Sequence, residues 1–173
     1  MNQEKYDAFF AALKERLVPL IQKVTKAKQL REDFLEQSFP VEEQKKFMEG
    51  LLEYLHFDSS WGYQNESEHP FTSWTCENDC RTTTKYLENN VISAILSTVH
   101  EVGHAYYEHN INPKYDGMIL SEGVSSGMHE SQSRLCENYL GRTLAFWKYH
   151  YPRLQKHFPK QLGEVSLEEF YQA

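Results

Sequence analysis

The stretch VHEVGHAYYEHN, Val99–Asn110, decides how this chain is interpreted. It contains two histidines four positions apart, His100 and His104, and Glu101 directly follows the first. Residues four apart in an α-helix lie on the same face, so both imidazoles can bind one ion. A glutamate beside that pair can accept a proton from a water on the ion without displacing a ligand. The pattern therefore predicts two metal ligands and the general base of a metal-dependent hydrolase.

A catalytic zinc site also needs a third protein ligand and an open position for water. The best candidate is Glu130 in the segment GMHESQSRLCEN, because its distance from His104 along the chain permits a turn and an antiparallel return of the next helix. Its neighbour His129 should face another side, so the two are not expected to bind one ion together. Arg134 and Glu137 share the broad face of Glu130 and are candidates for residues that orient the ligands.

Structural roles remain open for the same residues. His100 and His104 also fit polar positions at the edge of a core. Glu130 also fits a surface ion pair with Arg134, four residues further on. For Arg134 and Glu137 themselves, a solvated helix face is an equally good interpretation.

Length, composition and charge restrict the class of protein. The 173 residues carry a formal net charge of −7 and are 40% hydrophobic, which predicts a single folded domain over residues 1–173. Disorder is not expected, and neither is nucleic-acid binding, because no long basic run offers contacts to phosphate. No stretch has the apolar length of a membrane span or of a signal peptide. We therefore expect no membrane contact and a cytosolic location.

The three cysteines predict reduced thiols rather than a disulfide framework, because their number is odd and no export signal accompanies them. They are Cys76, Cys80 and Cys136. A structural zinc site on Cys76 and Cys80 is an alternative, although the chain offers no second ligand pair in the usual pattern.

Hydrophobic periodicity predicts a mainly helical chain. The apolar stripe from Tyr6 to Val24 indicates a first helix, which Pro19 is expected to kink or divide. A second helix is predicted to begin near Pro40, a residue suited to a first helical turn. The segment 57–86 has no helical period and many turn residues, so it predicts loops with one or two short strands.

The histidine pair falls in a third predicted helix, over residues 89–110, which Asn89 or Asn90 can cap. Gly103 lies inside this helix, where glycine costs about 1 kcal/mol relative to alanine. A glycine at such a place predicts the close approach of another segment.

The rest of the chain predicts two further helices. A long helix over 121–150 carries the third ligand candidate, with Ser121 as its cap and Pro152 beyond its end. Ser166 and Glu169 form a capping-box pattern immediately before the chain stops. We interpret this as the start of a helix that the chain cuts off, and a short docked helix is the alternative.

Four ordered motifs of this chain resemble those of the M32 family of metallocarboxypeptidases, the carboxypeptidase Taq group. They are HPF at His69–Phe71, DCRTT with Asp79, Arg81 and Thr83, HEVGH at His100–His104, and SEGVSSGMHESQSRLCENYLGR at Ser121–Arg142. The resemblance covers roughly Trp61 to Phe170. It implies a mainly α fold, a helical zincin catalytic core of the gluzincin type with a short β/loop segment. It also implies zinc or cobalt as the metal, a cytosolic setting and a homodimer.

The resemblance assigns roles to individual residues. It implies three metal ligands and one general base, namely His100, His104, Glu130 and Glu101. The implied substrate is a peptide with a free C-terminus, whose carboxylate suits an arginine. Arg81 is the available cation in a motif, and Asp79 and His69 are further substrate-binding candidates. A structural pair between Arg81 and Asp79 is the competing interpretation.

The chain also departs from the family pattern. Cys136 stands where tryptophan is commoner, which we interpret as a packing change. The family's proteins are longer, and their later Arg-x-x-Ala-Asp-Glu and Gln-Asp-x-His-Trp motifs are absent, so we expect an internal piece of such an enzyme. Two other functions stay open: a helical scaffold that binds metal or dimerises without turnover, and an interaction module with a dead site. Apolar surface left where missing helices pack would favour self-association.

Overall fold

The structure is a computed structural model that describes residues 2–28, 30–76 and 78–173. These residues fall into two compact units, which lie within Met1–Arg31 and Glu32–Ala173. The single domain over residues 1–173 stays a prediction. Within the described ranges, no helix combines the length and apolarity that crossing a membrane requires.

The first unit contains helix α1, Gln3–Lys26. The side chain of Asn2 caps it by accepting a hydrogen bond from the backbone N–H of Lys5. Pro19 lies inside this helix and does not divide it, so the predicted division was wrong. Because no side chain of α1 is buried, the carbonyl that loses its donor to proline can bind water instead.

The second unit begins its regular structure with helix α2, Val41–Tyr54, directly after Pro40 as predicted. Its buried side chains include Phe47, Met48 and Leu51, which are spaced to lie on one face. Helix α2 packs in this way against two later helices of the unit.

Segment 57–86 forms three short strands, one more than the sequence predicted. They are β1, Gly62–Glu66, β2, Thr72–Cys76, and β3, Asp79–Thr84. The order is β1–β3–β2, with β3 parallel to β1 and antiparallel to β2. The side chains of β1 and β2 are at most half-buried and mostly polar, so their alternation gave only a weak strand signal.

Helix α3, Val91–His109, occupies the range predicted for the histidine helix. Asn90 caps it, since its side chain accepts a hydrogen bond from the backbone N–H of Ser93 at 3.0 Å. Most of α3 is buried, because it packs against the sheet on one side and against the following helical segments on the other. It is therefore a rigid support for the residues it presents.

The single long helix predicted over 121–150 is divided in the structure. The segments are helix α4 at Ser126–Arg134, a π-helical segment at Leu135–Gly141, and helix α5 at Leu144–His157, and a 3₁₀ turn at Pro113–Tyr115 precedes them. The break between the last two follows from a local signal: the Thr143 side chain accepts a hydrogen bond from the backbone N–H of Phe146 and starts a new helix.

The predicted cap and the predicted end of that helix were also wrong. Ser125 rather than Ser121 caps α4, by accepting from the backbone N–H of Met128. Pro152 lies inside α5 rather than beyond its end. Packing of the buried Tyr151 and Leu154, which precede and follow Pro152 in the chain, helps to offset the cost of proline.

Two short helices complete the unit, α6 at Pro159–Leu162 and α7 at Leu167–Gln172. The capping box predicted for Ser166 and Glu169 is present. Helix α7 is docked through Phe170, whose ring centroid lies 4.4 Å from that of Tyr151 and 4.8 Å from that of Trp147. These three rings belong to the hydrophobic core, to which α2, α3, α5 and the sheet also contribute.

A buried histidine of α5 predicts a pH dependence of stability. His150 is 1% exposed, its Nε2 has no partner among the described residues, and burial lowers its pKa to about 4. Below its ordinary pKa of about 6.5 the unfolded chain binds a proton that the folded chain does not bind until about pH 4. The free energy of unfolding should therefore fall by up to about 3 kcal/mol as the pH drops through this window.

His150→Gln should remove this component, as measured by denaturant unfolding at several pH values between 7 and 4. The exposed His56 supplies the control, since His56→Asn should keep the wild-type slope. A slope that His150→Gln leaves unchanged would contradict the assignment.

Candidate metal centre

The candidate centre lies where α3 faces α4. Helix α3 presents His100 and His104, whose ring centroids are 5.0 Å apart, and α4 presents Glu130. Oε2 of Glu130 lies 3.6 Å from Nε2 of His100 and 3.5 Å from Nε2 of His104. One ligand atom from each of the three residues lies within 4.8 Å of the others. The structure thus brings together the three residues that the sequence singled out.

These separations fit a tetrahedral cation. Zinc bound at about 2.0–2.2 Å keeps its ligand atoms about 3.3–3.6 Å apart, and both measured nitrogen–oxygen distances lie in that range. Two imidazole nitrogens and one carboxylate oxygen, with a fourth position open, also form a common ligand set of catalytic zinc. His100, His104 and Glu130 could therefore hold a metal ion.

Gly103 allows the two helices to approach each other. A Cβ atom at this position would lie 2.8 Å from Cα of Ser133 and 3.0 Å from Cβ of Cys136. The close approach predicted from the sequence is confirmed. Ser133 is buried at this contact, and its hydroxyl donates to the backbone carbonyl of Glu130 at 2.8 Å. The glycine thereby sets the distance between Glu130 and the histidines.

Gly103→Ala should destabilise the chain and weaken its zinc binding. Overpacking costs typically about 1–3 kcal/mol. Because the atom that opposes the new Cβ belongs to the backbone, we expect this cost to outweigh the gain of about 1 kcal/mol in helix propensity. Gly50 in α2 is the matched control, because a Cβ there meets nothing within 4 Å. Gly50→Ala should stabilise by up to about 1 kcal/mol in the same unfolding assay. Equal effects of both substitutions would contradict the close approach.

His100 is oriented by Glu137, as the sequence suggested. Nδ1 of His100 lies 2.9 Å from Oε2 of Glu137. Arg134 donates to the same oxygen at 3.0 Å, and Arg142 donates to Oε1 at 2.8 Å. Burial opposes ionisation of Glu137, but the hydrogen bonds from Arg142 and His100 outweigh it and lower its pKa. A charged carboxylate in this position keeps Nε2 of His100 turned toward Glu130.

His104 is oriented by two residues that the sequence did not identify for this role. Nδ1 of His104 lies 2.8 Å from Nδ1 of His129, whose Nε2 lies 2.5 Å from Oε1 of Glu108. Among the residues that the structure describes, the group of side chains placed to hold a metal does not include His129, but His129 does not face away from the centre, because it contacts the candidate ligand His104. Glu108 was detectable in principle, since it follows His104 by four residues and shares its helix face.

Glu130 forms the ion pair with Arg134 and also faces the two histidines. Its Oε1 accepts a hydrogen bond from Nε of Arg134 at 2.7 Å, while its Oε2 faces the two histidines. Desolvation opposes the ionised form, but Arg134 and His100 outweigh it and the pKa of Glu130 is lowered. The ion pair therefore leaves one charged oxygen available to a cation.

Glu101 lies beside the three candidate ligands and is 7% exposed. The hydroxyl of Thr72, on β2, donates to its Oε2 at 2.6 Å and lies 2.9 Å from its backbone carbonyl oxygen. Burial raises the pKa of Glu101, and the hydrogen bond from Thr72 opposes that shift. A carboxylate with a raised pKa is a better proton acceptor in a reaction at neutral pH. Thr72 carried no signal in the sequence, because its contact depends on how the sheet packs against α3.

Open space adjoins this group. One cleft of about 600 Å³ is lined by His100 and Glu101, and a second of about 460 Å³ is lined by the same residues and His104. His69 and Pro70 line both clefts. Of the three substrate-binding candidates, His69 is therefore the one that the structure places beside the centre.

Arg81 and Asp79 lie elsewhere, on β3. Nε of Arg81 donates to Oδ1 of Asp79 at 2.8 Å, and its Nη2 donates to Oδ2 at 2.9 Å. Neither residue lines the two clefts. This bidentate pair fits the structural interpretation, and a role of either residue in substrate binding stays a prediction.

The cysteines are unpaired in the structure. Cys76 is exposed and Cys80 is buried, and burial raises the pKa of the Cys80 thiol to about 12. In the described ranges, the group of side chains placed to hold a metal contains neither of them. The alternative of a structural zinc site on these two residues gains no support.

Comparison with known proteins gives consistent results. A family model described as carboxypeptidase Taq (M32) metallopeptidase matches residues 1–173. Carboxypeptidase 1 of Bacillus subtilis is 40% identical over 168 residues, which cover 96% of this chain and 34% of the relative. Thermostable carboxypeptidase 1 of Thermus thermophilus is 39% identical over 163 residues, which cover 94% and 32%.

Solved structures agree. The M32 carboxypeptidase from Deinococcus radiodurans R1 superimposes with a TM-score of 0.90 at 40% identity, covering 100% of this chain and 35% of that one. A crystal structure described as BsuCP gives a TM-score of 0.94 at 38% identity, covering 99% and 35%. The chain thus spans about a third of the length of the relatives it matches.

Proposed function

The chain belongs to the M32 family of carboxypeptidase Taq metallopeptidases, and from that premise we propose that it hydrolyses the C-terminal peptide bond of peptides with the help of a divalent metal ion. The convergence of His100, His104 and Glu130 carries this proposal. Zinc, with cobalt as the alternative, is the metal we propose. A peptide with a free C-terminus as substrate, a homodimer and a cytosolic setting belong to the same proposal.

The proposed mechanism uses Glu101 as the general base. His100, His104 and Glu130 would hold the divalent cation, which would supply Lewis-acid chemistry by lowering the pKa of a water and polarising the carbonyl of the bond to be cleaved. The Glu101 carboxylate accepts the proton of the attacking water and then donates it to the leaving amine. Thr72 holds Oε2 of Glu101 in place through its hydroxyl, which leaves Oε1 for this proton transfer.

The His100 ring contributes orientation rather than proton transfer. Its contact with Glu137 directs Nε2 toward Glu130, where the ion would be held, and Arg134 and Arg142 keep the Glu137 carboxylate ionised. The substrate would lie in the clefts that His69 and Pro70 line. These clefts adjoin Glu101, which brings the peptide bond within range of the general base.

A second candidate function is a metal-binding scaffold without turnover. One observation favours it: Arg134 and Arg142, which line a cleft beside the centre, are already paired with the carboxylate of Glu137. Arg81, away from the centre on the sheet, is paired with Asp79. A carboxypeptidase needs a cation that is available to the terminal carboxylate of its substrate. A third candidate, an interaction module with a dead site, differs from both because it binds no stoichiometric zinc.

One experiment separates these functions. The purified chain, loaded with one equivalent of Zn²⁺ or Co²⁺, is incubated with a peptide that has a free C-terminus and with the same peptide amidated at that end. Mass spectrometry follows the products, and bound metal is quantified in parallel. We expect single residues to be released from the free peptide only, and the release to stop on addition of a chelator.

The other outcomes are equally informative. Bound zinc with no hydrolysis above the buffer blank would contradict the peptidase proposal and support the scaffold. Absence of stoichiometric zinc at neutral pH would contradict both and support the interaction module. Cleavage of the amidated peptide at the same rate would contradict the recognition of a free C-terminus.

A further inference from the structure

A chain of three side chains leads from a buried carboxylate to one of the candidate ligands. Glu108 is 8% exposed, and its Oε1 contacts Nε2 of His129, whose Nδ1 in turn contacts Nδ1 of His104. The backbone N–H of Gly123 donates to the same Glu108 oxygen at 3.2 Å. The other oxygen, Oε2, has no partner among the described residues, so Oε1 makes both anchoring contacts.

The positions of the hydrogens follow from these contacts. Oε1 of Glu108 accepts from the backbone N–H of Gly123, and Nε2 of His129 is the donor in its contact with the same oxygen. With the ring proton of His129 on Nε2, its Nδ1 is the acceptor in the contact with His104. The donor in the contact between the two Nδ1 atoms is therefore His104. A neutral His104 with its proton on Nδ1 has an unprotonated Nε2, the form that binds a metal ion.

Packing holds His129 in the orientation that this chain needs. A Cβ atom at Gly123 would lie 2.6 Å from Cδ2 of His129, so only glycine leaves room for the ring there. The Tyr107 ring lies on another side, with its centroid 5.0 Å from that of His129 in an edge-to-face arrangement. The hydroxyl of Tyr107 accepts from the backbone N–H of Val124, which fixes this loop against α3.

We propose that His129 is a positioning residue, which fixes the tautomer and the orientation of His104 on behalf of Glu108 and so prepares Nε2 to bind the metal. This inference rests on the proposed function, since it needs a metal at the centre. It distinguishes the two histidine ligands, because a carboxylate, that of Glu137, contacts His100 directly, whereas the ring of His129 stands between His104 and its carboxylate.

The first measurement needs no metal. Long-range ¹H–¹⁵N correlation spectra of the metal-free chain report which ring nitrogen carries the proton. We expect the Nδ1–H tautomer for His104 in the wild-type chain and a mixture of tautomers in His129→Leu. A predominant Nε2–H tautomer in the wild-type chain would overturn the proposal.

The second measurement is the affinity for Zn²⁺, obtained by competition with a chromophoric chelator. His129→Leu should weaken binding by about 10–100-fold, as loss of an orienting partner does elsewhere. His129→Asn should weaken it by less than about 10-fold, because the amide oxygen can accept from Nδ1 of His104. His157→Leu is the control, since that histidine pairs with Glu43 away from the centre and its loss should leave the affinity unchanged.

The outcomes separate this proposal from the proposed function. Unchanged zinc affinity in His129→Leu, with normal binding by the wild-type chain, would overturn the positioning role alone. Equal losses in His129→Leu and His129→Asn would overturn it too, because a purely structural contribution predicts no rescue by a hydrogen-bond acceptor. A wild-type chain that binds no zinc would overturn the proposed function, and the metal-directed role of His129 with it.

Discussion

Glu101→Gln is expected to lower kcat/KM for an unblocked peptide by about 10²–10⁴-fold while leaving zinc bound. The amide has nearly the shape of the carboxylate and can keep a contact with the Thr72 hydroxyl, but it cannot accept the proton of the attacking water. Metal affinity should change little, because Glu101 lies outside the group of three residues placed to hold the ion. The measurement is steady-state hydrolysis with metal content determined on the same preparation.

A matched control comes from the same part of the chain. Glu122 is exposed and precedes α4, so Glu122→Gln makes the same chemical change and removes one negative charge without altering Glu101. Its kcat/KM should stay close to the wild-type value. If Glu101→Gln retained half of the wild-type rate with zinc bound, Glu101 would not be the general base.

Glu130→Ala should reduce zinc affinity by more than about 100-fold, which exceeds the cost of losing a residue that only orients a ligand. The physical reason is the loss of the negatively charged oxygen that faces Nε2 of both His100 and His104. Competition with a chelator measures this affinity, and the free energy of unfolding of the metal-free variant shows whether the fold persists.

Arg134→Met separates the two roles of Glu130. It removes the ion pair to Oε1 of Glu130 and keeps the carboxylate. Exposed pairs contribute about 0–1 kcal/mol, so stability should change little, and zinc affinity should fall by less than about 10-fold through the weaker hold on Glu137. If Glu130→Ala and Arg134→Met had the same small effect on zinc affinity, Glu130 would serve only in an ion pair.

The sequence was most informative where local signals agreed. Asn90 as a cap, an apolar stripe and the histidine spacing all indicated one helix, and α3 has those bounds within two residues. The face shared by residues four apart is a property of the helix itself, so the placement of His100 and His104 needed no tertiary information. Gly103 predicted a close neighbour for a similar reason, because its helix-propensity cost suggested a steric requirement.

Prediction was weaker where the structure depends on competition between signals. Residues 135–141 keep a nearly helical spacing of apolar side chains. The pattern therefore predicted neither the π-helical segment nor the start of a new helix after Thr143. The prolines predicted a division at Pro19 and a helix end at Pro152, but both residues lie inside continuous helices. In each case the surrounding helix tolerates one missing hydrogen bond.

The residues that support the centre were the hardest to foresee. Thr72 contacts Glu101 only because the sheet packs against α3, and His129 contacts His104 only because α4 returns at the distance that Gly103 permits. Such contacts join residues far apart in the chain, and the single sequence offers no spacing rule for them. Glu108 is the exception, since helical spacing alone puts it on the face of His104.

The most direct test is a crystal structure of the chain soaked with zinc, with the metal located by anomalous scattering. We predict one ion, bound by Nε2 of His100 and of His104 at about 2.0–2.1 Å and by a Glu130 oxygen at about 2.0–2.2 Å. Zinc bound instead through Cys76 or Cys80, or an ordered Glu130 that turns away from the two histidines toward solvent, would contradict it.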